Sequence, residues 1–283
     1  MKESKYKNQT AEEILSEYLK ALNKAKIRQM LFYMLEMIAI IYICLFSNIS
    51  TGVREIIYLF IIVAAFIAHF SFQVKSGIRC GELSEILTTD CEPCKYLEIM
   101  RSLDKKDTRG RGHATFSLEC AVANYYDGDM EEALTYLREV EFKSPKNFRY
   151  IKKYNIEGLI YCYLREEEGY RQAMNQLYQE HKTCKEGTVY YNLSAKMIQN
   201  LQLNWKPFVE WDEEDRIYVE EQLAQEPNRL TELSLQLSLA KYEALHGDRE
   251  KSEQYLDLAL EGQVPAVYER RIREVNELLG NHL

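Results

Sequence analysis

Two long apolar runs near the N-terminus dominate the pattern of hydrophobic and polar positions. Residues 30–46 read MLFYMLEMIAIIYICLF and residues 56–72 read IIYLFIIVAAFIAHFSF, with Glu36 as the only full charge in either run. Each run corresponds to roughly 26 Å of α-helix, close to the hydrocarbon thickness of about 30 Å. Neither run has the polar stripe expected of a helix in a soluble protein. The pattern predicts a transmembrane helical hairpin over residues 30–72, with two buried helices of a soluble protein as the less favoured alternative.

Basic residues near these runs indicate how the hairpin is oriented. Residues 1–29 contain seven Lys and Arg side chains, whereas the loop over residues 47–53 contains none. Lys and Arg are enriched on the cytoplasmic side of transmembrane helices. We therefore expect a cell-membrane protein with two spans, both termini in the cytoplasm and the short loop outside.

The segment before the hairpin has the pattern of an amphipathic helix. Thr10 and Glu13 have the spacing of a capping box, and apolar residues then recur at helical intervals. Residues 1–29 are therefore predicted to form a cytoplasmic amphipathic helix, with a frayed polar end at residues 1–9. The apolar stripe of this helix could lie on the membrane interface or pack on the rest of the protein.

The segment after the hairpin, residues 73–113, is predicted to contain two helices. A linker helix is expected over residues 73–87. A first cytoplasmic helix should follow, because Asp90 can cap a helix start and Pro93 suits an early helical position. That helix is expected to end near Leu103.

Beyond residue 113 the pattern is helical almost to the C-terminus, and it repeats. Residues 118–145, 154–181 and 233–260 each read as a helix, a tight turn and a second helix. In the first and third the turn is Gly-Asp, at Gly128 and Gly247, where glycine ends one helix and aspartate caps the next. In the second the turn is expected over residues 165–169 and is longer. No alternating β-branched run bounded by turns predicts a strand, so the predicted fold class is all-α.

These stretches resemble the tetratricopeptide repeat (TPR) family. The residues that match the family pattern are Ala121, Gly128, Ala133, Leu137 and Pro145 in the first stretch, Gly158, Tyr161 and Ala173 in the second, and Ala240, Gly247, Leu256 and Ala259 in the third, where Ser252 replaces the usual alanine. Small residues let paired helices approach closely. The resemblance implies a TPR-like α-solenoid of antiparallel helix pairs over residues 114–283, closed by a capping helix over residues 265–279.

The resemblance also implies a concave groove, lined by the first helix of each pair, that binds a protein or peptide. In this register the partner-binding candidates that would face or border the groove are Tyr125, Tyr126, Asn155, Tyr163 and Lys241, with Tyr190 and Tyr191 as further neighbours. The chain contains 21 tyrosines. Tyrosine is enriched at interfaces because its rigid apolar ring carries a hydroxyl group.

Glu36 and His69 are the ionisable residues inside the predicted spans. On two antiparallel helices both would lie near the cytoplasmic edge, where they could face each other. Ionisable residues within spans are candidates for function. Two structural roles are favoured over a functional one: the side chains could reach the nearby interface, or they could pair and set the register of the hairpin.

Cys91 and Cys94 form a CxxC motif at a predicted helix start. A helix N-terminus favours a reactive thiolate, but the strand that precedes a thioredoxin-type motif is missing. A zinc site would need further ligands such as Cys80 and His113. Structural thiols are the favoured interpretation, with a redox pair and a metal site as alternatives.

Charge and motif content narrow the expected function. Residues 73–283 carry a net charge of −10, because residues 1–29 contribute +3 and residues 30–72 contribute −1 to the total of −8. Such an acidic domain does not attract a polyphosphate backbone, which argues against nucleic acid as the partner. No catalytic or cofactor-binding motif stands out, so neither an enzymatic activity nor a cofactor is expected.

Two hypotheses follow for the function. The leading one is a membrane-tethered scaffold that recruits a cytoplasmic protein or peptide through the groove. The alternative is a membrane regulator that senses a ligand or peptide and signals through the hairpin. Homo-oligomerisation through the transmembrane helices is compatible with either hypothesis.

Overall fold

The computed structural model describes residues 3–46, 50–144, 148–225 and 228–280, and in these ranges the chain is helical without a β-strand. The all-α prediction is therefore confirmed. The α-helices are α1 (Ala11–Phe46), α2 (Thr51–Glu82), α3 (Glu85–Thr88), α4 (Pro93–Lys106), α5 (His113–Asp127), α6 (Met130–Arg138), α7 (Arg149–Leu164), α8 (Glu167–Thr183), α9 (Val189–Trp205), α10 (Glu213–Leu223), α11 (Arg229–His246), α12 (Arg249–Leu260) and α13 (Glu269–Leu278). Short 3₁₀ turns, Phe208–Glu210 and Ala266–Tyr268, precede α10 and α13.

The chain divides into two compact units. Asn8–Glu85 forms the first unit, which contains α1 and α2 and is called the hairpin below. Met1–Lys7 together with Ile86–Leu283 forms the second, which is called the helical domain. The helix pairing of the helical domain begins with α4, which packs on α5, and so earlier than the predicted start at residue 114.

Both helices of the hairpin are long and apolar enough to cross a membrane. Their apolar windows lie within Ala11–Leu45 and Thr51–Phe72, and no residue of either window is buried. α1 and α2 pack against each other. Many of their large apolar side chains are therefore exposed.

Each hairpin helix is longer than its apolar core. α1 begins at the predicted capping box, where Thr10 N–H donates to Glu13 Oε2 at 2.8 Å and Glu13 N–H donates to Thr10 Oγ1 at 3.3 Å. α2 continues past residue 72 to Glu82. The prediction of a separate linker helix over residues 73–87 is therefore wrong in its bounds, because most of that segment is the last part of α2.

The N-terminal residues before α1 pack into the helical domain. Ser4 N–H donates to Asp90 Oδ1 at 3.0 Å, and Lys95 Nζ donates to the carbonyl of Tyr6 at 3.1 Å. The Tyr6 side chain is buried. Residues 3–7 are thus held in place, and the prediction of a frayed end is wrong for them.

The contact between Ser4 and Asp90 shows that the predicted start of α4, with Asp90 as its cap, is wrong. Asp90 accepts hydrogen bonds from Ser4 and does not cap the helix. The N-cap of α4 is Glu92, whose side chain makes no capping hydrogen bond, and Pro93 is the first helical residue. Proline suits that position because it lacks the amide hydrogen that a first turn leaves unpaired.

Three helix pairs of the helical domain share one turn geometry. α5–α6, α7–α8 and α11–α12 are each joined by two residues: Gly128-Asp129, Arg165-Glu166 and Gly247-Asp248. The first residue of each turn is left-handed, and the amide of the second donates to a carbonyl five residues earlier at 2.9–3.1 Å. This is the Schellman ending of a helix. The prediction of a longer turn over residues 165–169 is wrong, because Arg165 adopts the glycine-like conformation.

Small residues lie where these helices approach most closely. Ala121, Ala133, Ala173, Ala240, Ser252 and Ala259 are all buried. A Cβ atom added to Gly158 of α7 would lie 2.8 Å from Cδ1 of Leu201 in α9. Pro145, the remaining residue of the predicted register in the first stretch, lies outside the described residues.

The C-terminal segment packs back onto the earlier helices. The 3₁₀ turn Ala266–Tyr268 lies against α5, and α13 packs on α11 and α12. Arg270 of α13 also donates from Nη1 to the carbonyl of Tyr163, at the end of α7, at 2.9 Å. The segment predicted as a capping helix therefore contacts α5 and α7, far from it in sequence.

Candidate binding site

A cavity of about 210 Å³ lies in the helical domain, among the ends of α5, α7 and α9 and the sides of α11 and α13. We call it the basic cleft. Its lining residues are Tyr125, Leu159, Cys162, Tyr163, Arg165, Asn204, Phe208, Lys241, Val267, Tyr268, Arg270, Arg271 and Glu274. Three of the five predicted partner-binding residues are therefore brought together here, although they come from three different helices.

Tyr125 and Tyr126 end α5 beneath the C-terminal segment. Their rings meet edge to face with centroids 4.9 Å apart, and the Tyr126 ring lies 6.3 Å from that of Tyr268. Burial raises the pKa of both phenols. Tyr125 still borders the cleft, but Tyr126 is not among its lining residues. Ala266–Tyr268 packs on α5, and Tyr125 is buried there while Tyr126 stays partly exposed.

Tyr163 lies at the cleft, whereas Asn155, two turns earlier on α7, does not line it. The guanidinium carbon of Arg270 lies 4.0 Å from the centroid of the Tyr163 ring. A cation placed over an aromatic face is attracted by the negative face of the ring. Tyr163 is therefore positioned by α13 as well as by its own helix.

Lys241 of α11 reaches the opposite side of the cleft. Its Nζ lies 2.5 Å from Glu274 Oε2 and 4.5 Å from the centroid of the Phe208 ring. Phe208 belongs to the first 3₁₀ turn and stacks on Trp211 at 4.4 Å. The guanidinium of Arg271 lies 5.6 Å from the same Phe208 centroid. Two cations thus lie near one aromatic ring.

The charges of the cleft are unbalanced. Arg165, Lys241, Arg270 and Arg271 line it together with one carboxylate, Glu274. Glu274 pairs with Lys241 and lies 3.9 Å from Arg270. Within the described residues no carboxylate lies within ion-pair distance of Arg165 or Arg271. The lining carries a net charge of +3 inside an otherwise acidic domain.

Arg271 is held by neutral acceptors only. Its Nη1 donates to Ser238 Oγ at 3.0 Å, and its Nη2 donates to Asn204 Oδ1 at 3.3 Å. Burial lowers the pKa of Arg271, the direction expected when a cation loses water. Desolvating a charge without a counter-charge is unfavourable. The cleft therefore has the electrostatics of an anion-binding site.

The sequence interpretation missed Arg165, Phe208, Arg270 and Arg271. The two adjacent arginines of α13 lie in the segment predicted as a capping helix, to which no binding role was assigned. Arg165 was assigned to the turn between the two helices of the second stretch. Nothing in the local pattern indicates that these residues converge, because their meeting depends on how the C-terminal segment packs against α5 and α7.

Glu36 and His69 do not pair in the hairpin. His69 Nδ1 lies 3.1 Å from Tyr33 Oη and 3.3 Å from Gln29 Nε2, and Gln29 also donates to Tyr33 at 2.9 Å. Glu36 Oε1 is buried without a hydrogen-bond partner. The pairing that was one of the two structural alternatives for these residues is therefore not formed, and His69, Tyr33 and Gln29 connect the two helices by hydrogen bonds.

The two thiols of the CxxC motif have separate environments. Cys91 is buried with a positive φ of 58°, and burial raises its pKa to about 11. Cys94 donates from Sγ to Asp127 Oδ1 at 2.9 Å, and this hydrogen bond raises its pKa. A redox pair or a metal site needs thiolates, and both environments disfavour them. No cluster of three metal-ligating side chains occurs among the described residues.

The chain matches no protein-family model, no curated protein and no solved structure.

Proposed function

We propose that the protein is a membrane-tethered scaffold whose helical domain binds a cytoplasmic protein or peptide. The tether is the hairpin, with two spans and both termini in the cytoplasm. Its support is the exposure of large apolar side chains, such as Phe60 at 70% and Phe66 at 78%. Exposed apolar surface of this extent is unfavourable in water and suits a bilayer.

We propose that the helical domain is a TPR-like array. Its support is the repetition of one turn geometry in α5–α6, α7–α8 and α11–α12, together with small buried residues at the helix contacts. Arrays of this kind present a concave surface on which the first helices of successive pairs lie side by side. Helices α5, α7 and α11, which each begin one of these pairs, all contribute to the basic cleft.

The main support for the proposal is the set of aromatic and cationic side chains that line the basic cleft. Tyrosine rings and cations from four helices converge there, and aromatic and Arg side chains are the types that contribute most binding energy at protein interfaces. Tyr163 and Lys241 are both partly exposed. A partner would therefore reach the cleft with an anionic or polar side chain.

One observation favours the alternative, a regulator that senses a ligand. Ala266–Tyr268 already covers the end of α5, and the space that remains is about 210 Å³. That volume is below the roughly 300–1,000 Å³ of common drug-sized sites. A small ligand fits it without movement of the C-terminal segment, whereas a long peptide would have to lie across the opening.

Cross-linking in membranes tests the scaffold proposal. A photoreactive residue at position 165, on the rim of the cleft, should cross-link a partner in membranes that contain the full-length chain. Tyr163→Ala with Lys241→Gln should remove the product, since losing an interface aromatic costs about 2 kcal/mol, roughly thirtyfold in affinity. Arg109→Ala with Arg111→Ala, in the exposed loop before α5, is the matched control.

The outcomes separate the two functions. Loss of cross-linking only in the loop variant would place recognition outside the cleft and reject the proposal. In a regulator, Glu36→Gln or His69→Gln should alter the response to ligand, whereas a plain scaffold should tolerate both changes. All variants are compared after their helical content has been shown to be equal by circular dichroism.

A further inference from the structure

The unbalanced charge of the basic cleft specifies the chemistry of its ligand. Arg165 and Arg271 lack an ion-pair partner within the described residues. Lys241 and Arg270 share one carboxylate, that of Glu274. A singly charged carboxylate would leave most of this charge uncompensated. A phosphate monoester carries about −1.5 to −2 near neutral pH, which compensates it better.

The donor types also match a tetrahedral oxyanion. Guanidinium groups present parallel N–H donors to two oxygens of one phosphate. Arg165 and Arg271 each bond to neutral acceptors, Trp205 O at 3.0 Å and Asn204 Oδ1 at 3.3 Å. An anionic acceptor adds direct charge attraction and bidentate geometry, which a neutral acceptor does not supply. The cations therefore gain more from a phosphate than from their present partners.

The walls of the cleft limit what can carry the phosphate. Phe208 and Tyr163 each have a cation over their ring face, and Tyr125 and Tyr268 close the cleft toward α5. These rings shield Lys241, Arg270 and Arg271 from part of the surrounding water, which strengthens the interaction of these cations with an anion. The small volume admits a phosphate group with a few attached atoms.

We propose that the basic cleft is a binding site for a phosphate monoester group. The group is carried either by a small phosphorylated metabolite or by a phosphorylated side chain of the bound partner. This inference rests on the proposed function only in the choice of the cleft as the binding site. Phosphate binding to the purified chain and cross-linking of a partner are separate measurements, so either can fail without the other.

The test uses the full-length chain in detergent and inorganic phosphate as the probe. Unfolding temperature is measured at pH 7.5 at constant ionic strength, with chloride, acetate, sulfate or phosphate as the anion. We expect a saturable rise in phosphate, a similar rise in sulfate and no rise in acetate, as mass action predicts for a ligand of the folded state. An equal rise in acetate would overturn the proposal.

Three variants locate the site. Arg165→Gln, on the exposed rim, should weaken phosphate binding about tenfold, measured as the rise above this variant's own unfolding temperature in chloride. Glu274→Gln should strengthen binding, because Glu274 is the one carboxylate among the described residues that line the cleft. Arg111→Gln, in the exposed loop, should change nothing. A phosphate response that is the same in all three would show non-specific binding and overturn the proposal.

Two phosphorylated probes distinguish the source of the group. A phosphoserine peptide that binds more than tenfold tighter than inorganic phosphate would assign the phosphate to a protein partner. Glycerol 3-phosphate that binds more than tenfold tighter than inorganic phosphate would assign the phosphate group to a metabolite. Either result supports the site, whereas weaker binding of both esters than of inorganic phosphate would exclude a monoester ligand.

Discussion

Arg270 joins the C-terminal helix to the end of α7 through Tyr163: its Nη1 donates to the Tyr163 carbonyl at 2.9 Å, and its guanidinium lies 4.0 Å from the Tyr163 ring centroid. The carbonyl belongs to the last turn of α7, where helical carbonyls lack partners within the helix. The cation also lies at the negative end of the helix dipole. One side chain thus stabilises the end of α7 and holds α13 over the basic cleft.

Replacing this side chain should loosen the C-terminal segment. Arg270→Met keeps the apolar stem and removes the donor, so we expect a loss of about 1–2 kcal/mol in the free energy of unfolding. Arg273→Met, at an exposed position of the same helix, should stay within about 0.5 kcal/mol of the parent. Urea unfolding followed by the fluorescence of Trp205 and Trp211 measures both. Equal stability of the two variants would show that the contact with Tyr163 is not a significant attachment.

The contact between Gly158 and Leu201 predicts a second effect. A Cβ atom at position 158 would lie 2.8 Å from Leu201 Cδ1 and 3.0 Å from Cδ2. Gly158→Ala should therefore destabilise the domain by about 1–3 kcal/mol, more than the roughly 1 kcal/mol gained in helix propensity. Gly81→Ala, at a helical glycine with no atom within 4 Å, is the control and should be neutral or stabilising.

A double variant shows whether the cause is steric. Leu201→Val shortens the side chain that meets the new methyl group. Combined with Gly158→Ala it should cost less than the sum of the two single changes, because adjacent sites couple. Additive effects would mean that α7 and α9 adjust freely and that the close approach is not required.

The local sequence pattern predicted the two turns in which glycine adopts the left-handed conformation. It did not predict the turn in which another residue adopts that conformation. Gly128 and Gly247 were identified, and both have left-handed φ values. Arg165 has φ 57° as well, at a cost of about 1–2 kcal/mol for a residue with a Cβ. Its hydrogen bond to Trp205 O, 40 residues away, contributes to offsetting that cost. No local pattern indicates such a long-range contact.

The same limit applies to the N-terminus and to the cleft. Asp90 had the pattern of a helix cap, yet its carboxylate binds Ser4, 86 residues earlier. Tyr163 and Lys241, which line the cleft, were predicted because helix register determines which face of its own helix each residue occupies. Arg270 and Arg271 were not, because their role depends on where the C-terminal segment packs.

The environment of Cys94 predicts a pH-dependent reactivity. Its hydrogen bond to Asp127 raises the pKa of the thiol, so the thiolate fraction at pH 8 is reduced. Asp127→Asn removes the charge and should lower the pKa of Cys94, which shifts the pH profile of alkylation downward and raises the rate at pH 8 several-fold. Peptide mass spectrometry after timed iodoacetamide treatment measures each cysteine separately.

Two other cysteines provide controls in the same sample. Cys184, remote from Asp127 in sequence and partly exposed, should react at one rate in both proteins. Cys91 should stay unreactive in both, because it is buried and its pKa is raised to about 11. A faster reaction at Cys91 in the variant would indicate local unfolding and not a change in the pKa of Cys94.

The orientation of the hairpin gives the last prediction. Seven basic residues precede the first apolar core, and none lies in residues 47–53, so both ends of the hairpin should be cytoplasmic. The contacts between α1 and α2 are antiparallel, which puts the loop at one end of the pair: Tyr33 contacts His69, and Cys44 contacts Tyr58 nearer the loop. Single cysteines at three exposed positions, Asn8, Ser50 and Glu277, report the three accessible parts of the chain.

The background for this labelling follows from the burial of the native cysteines. Cys44, Cys80, Cys94 and Cys184 are exposed or partly exposed and are replaced by serine, whereas the three buried cysteines are kept because burial shields them from reagent. An impermeant maleimide should label Ser50→Cys in intact cells. Asn8→Cys and Glu277→Cys should label only after permeabilisation, which also shows that every site is reactive. In a two-span hairpin α2 is the one crossing between positions 50 and 277, so the two positions lie on opposite sides of the membrane. Labelling of Ser50→Cys and Glu277→Cys from the same side of intact cells would therefore rule out this hairpin.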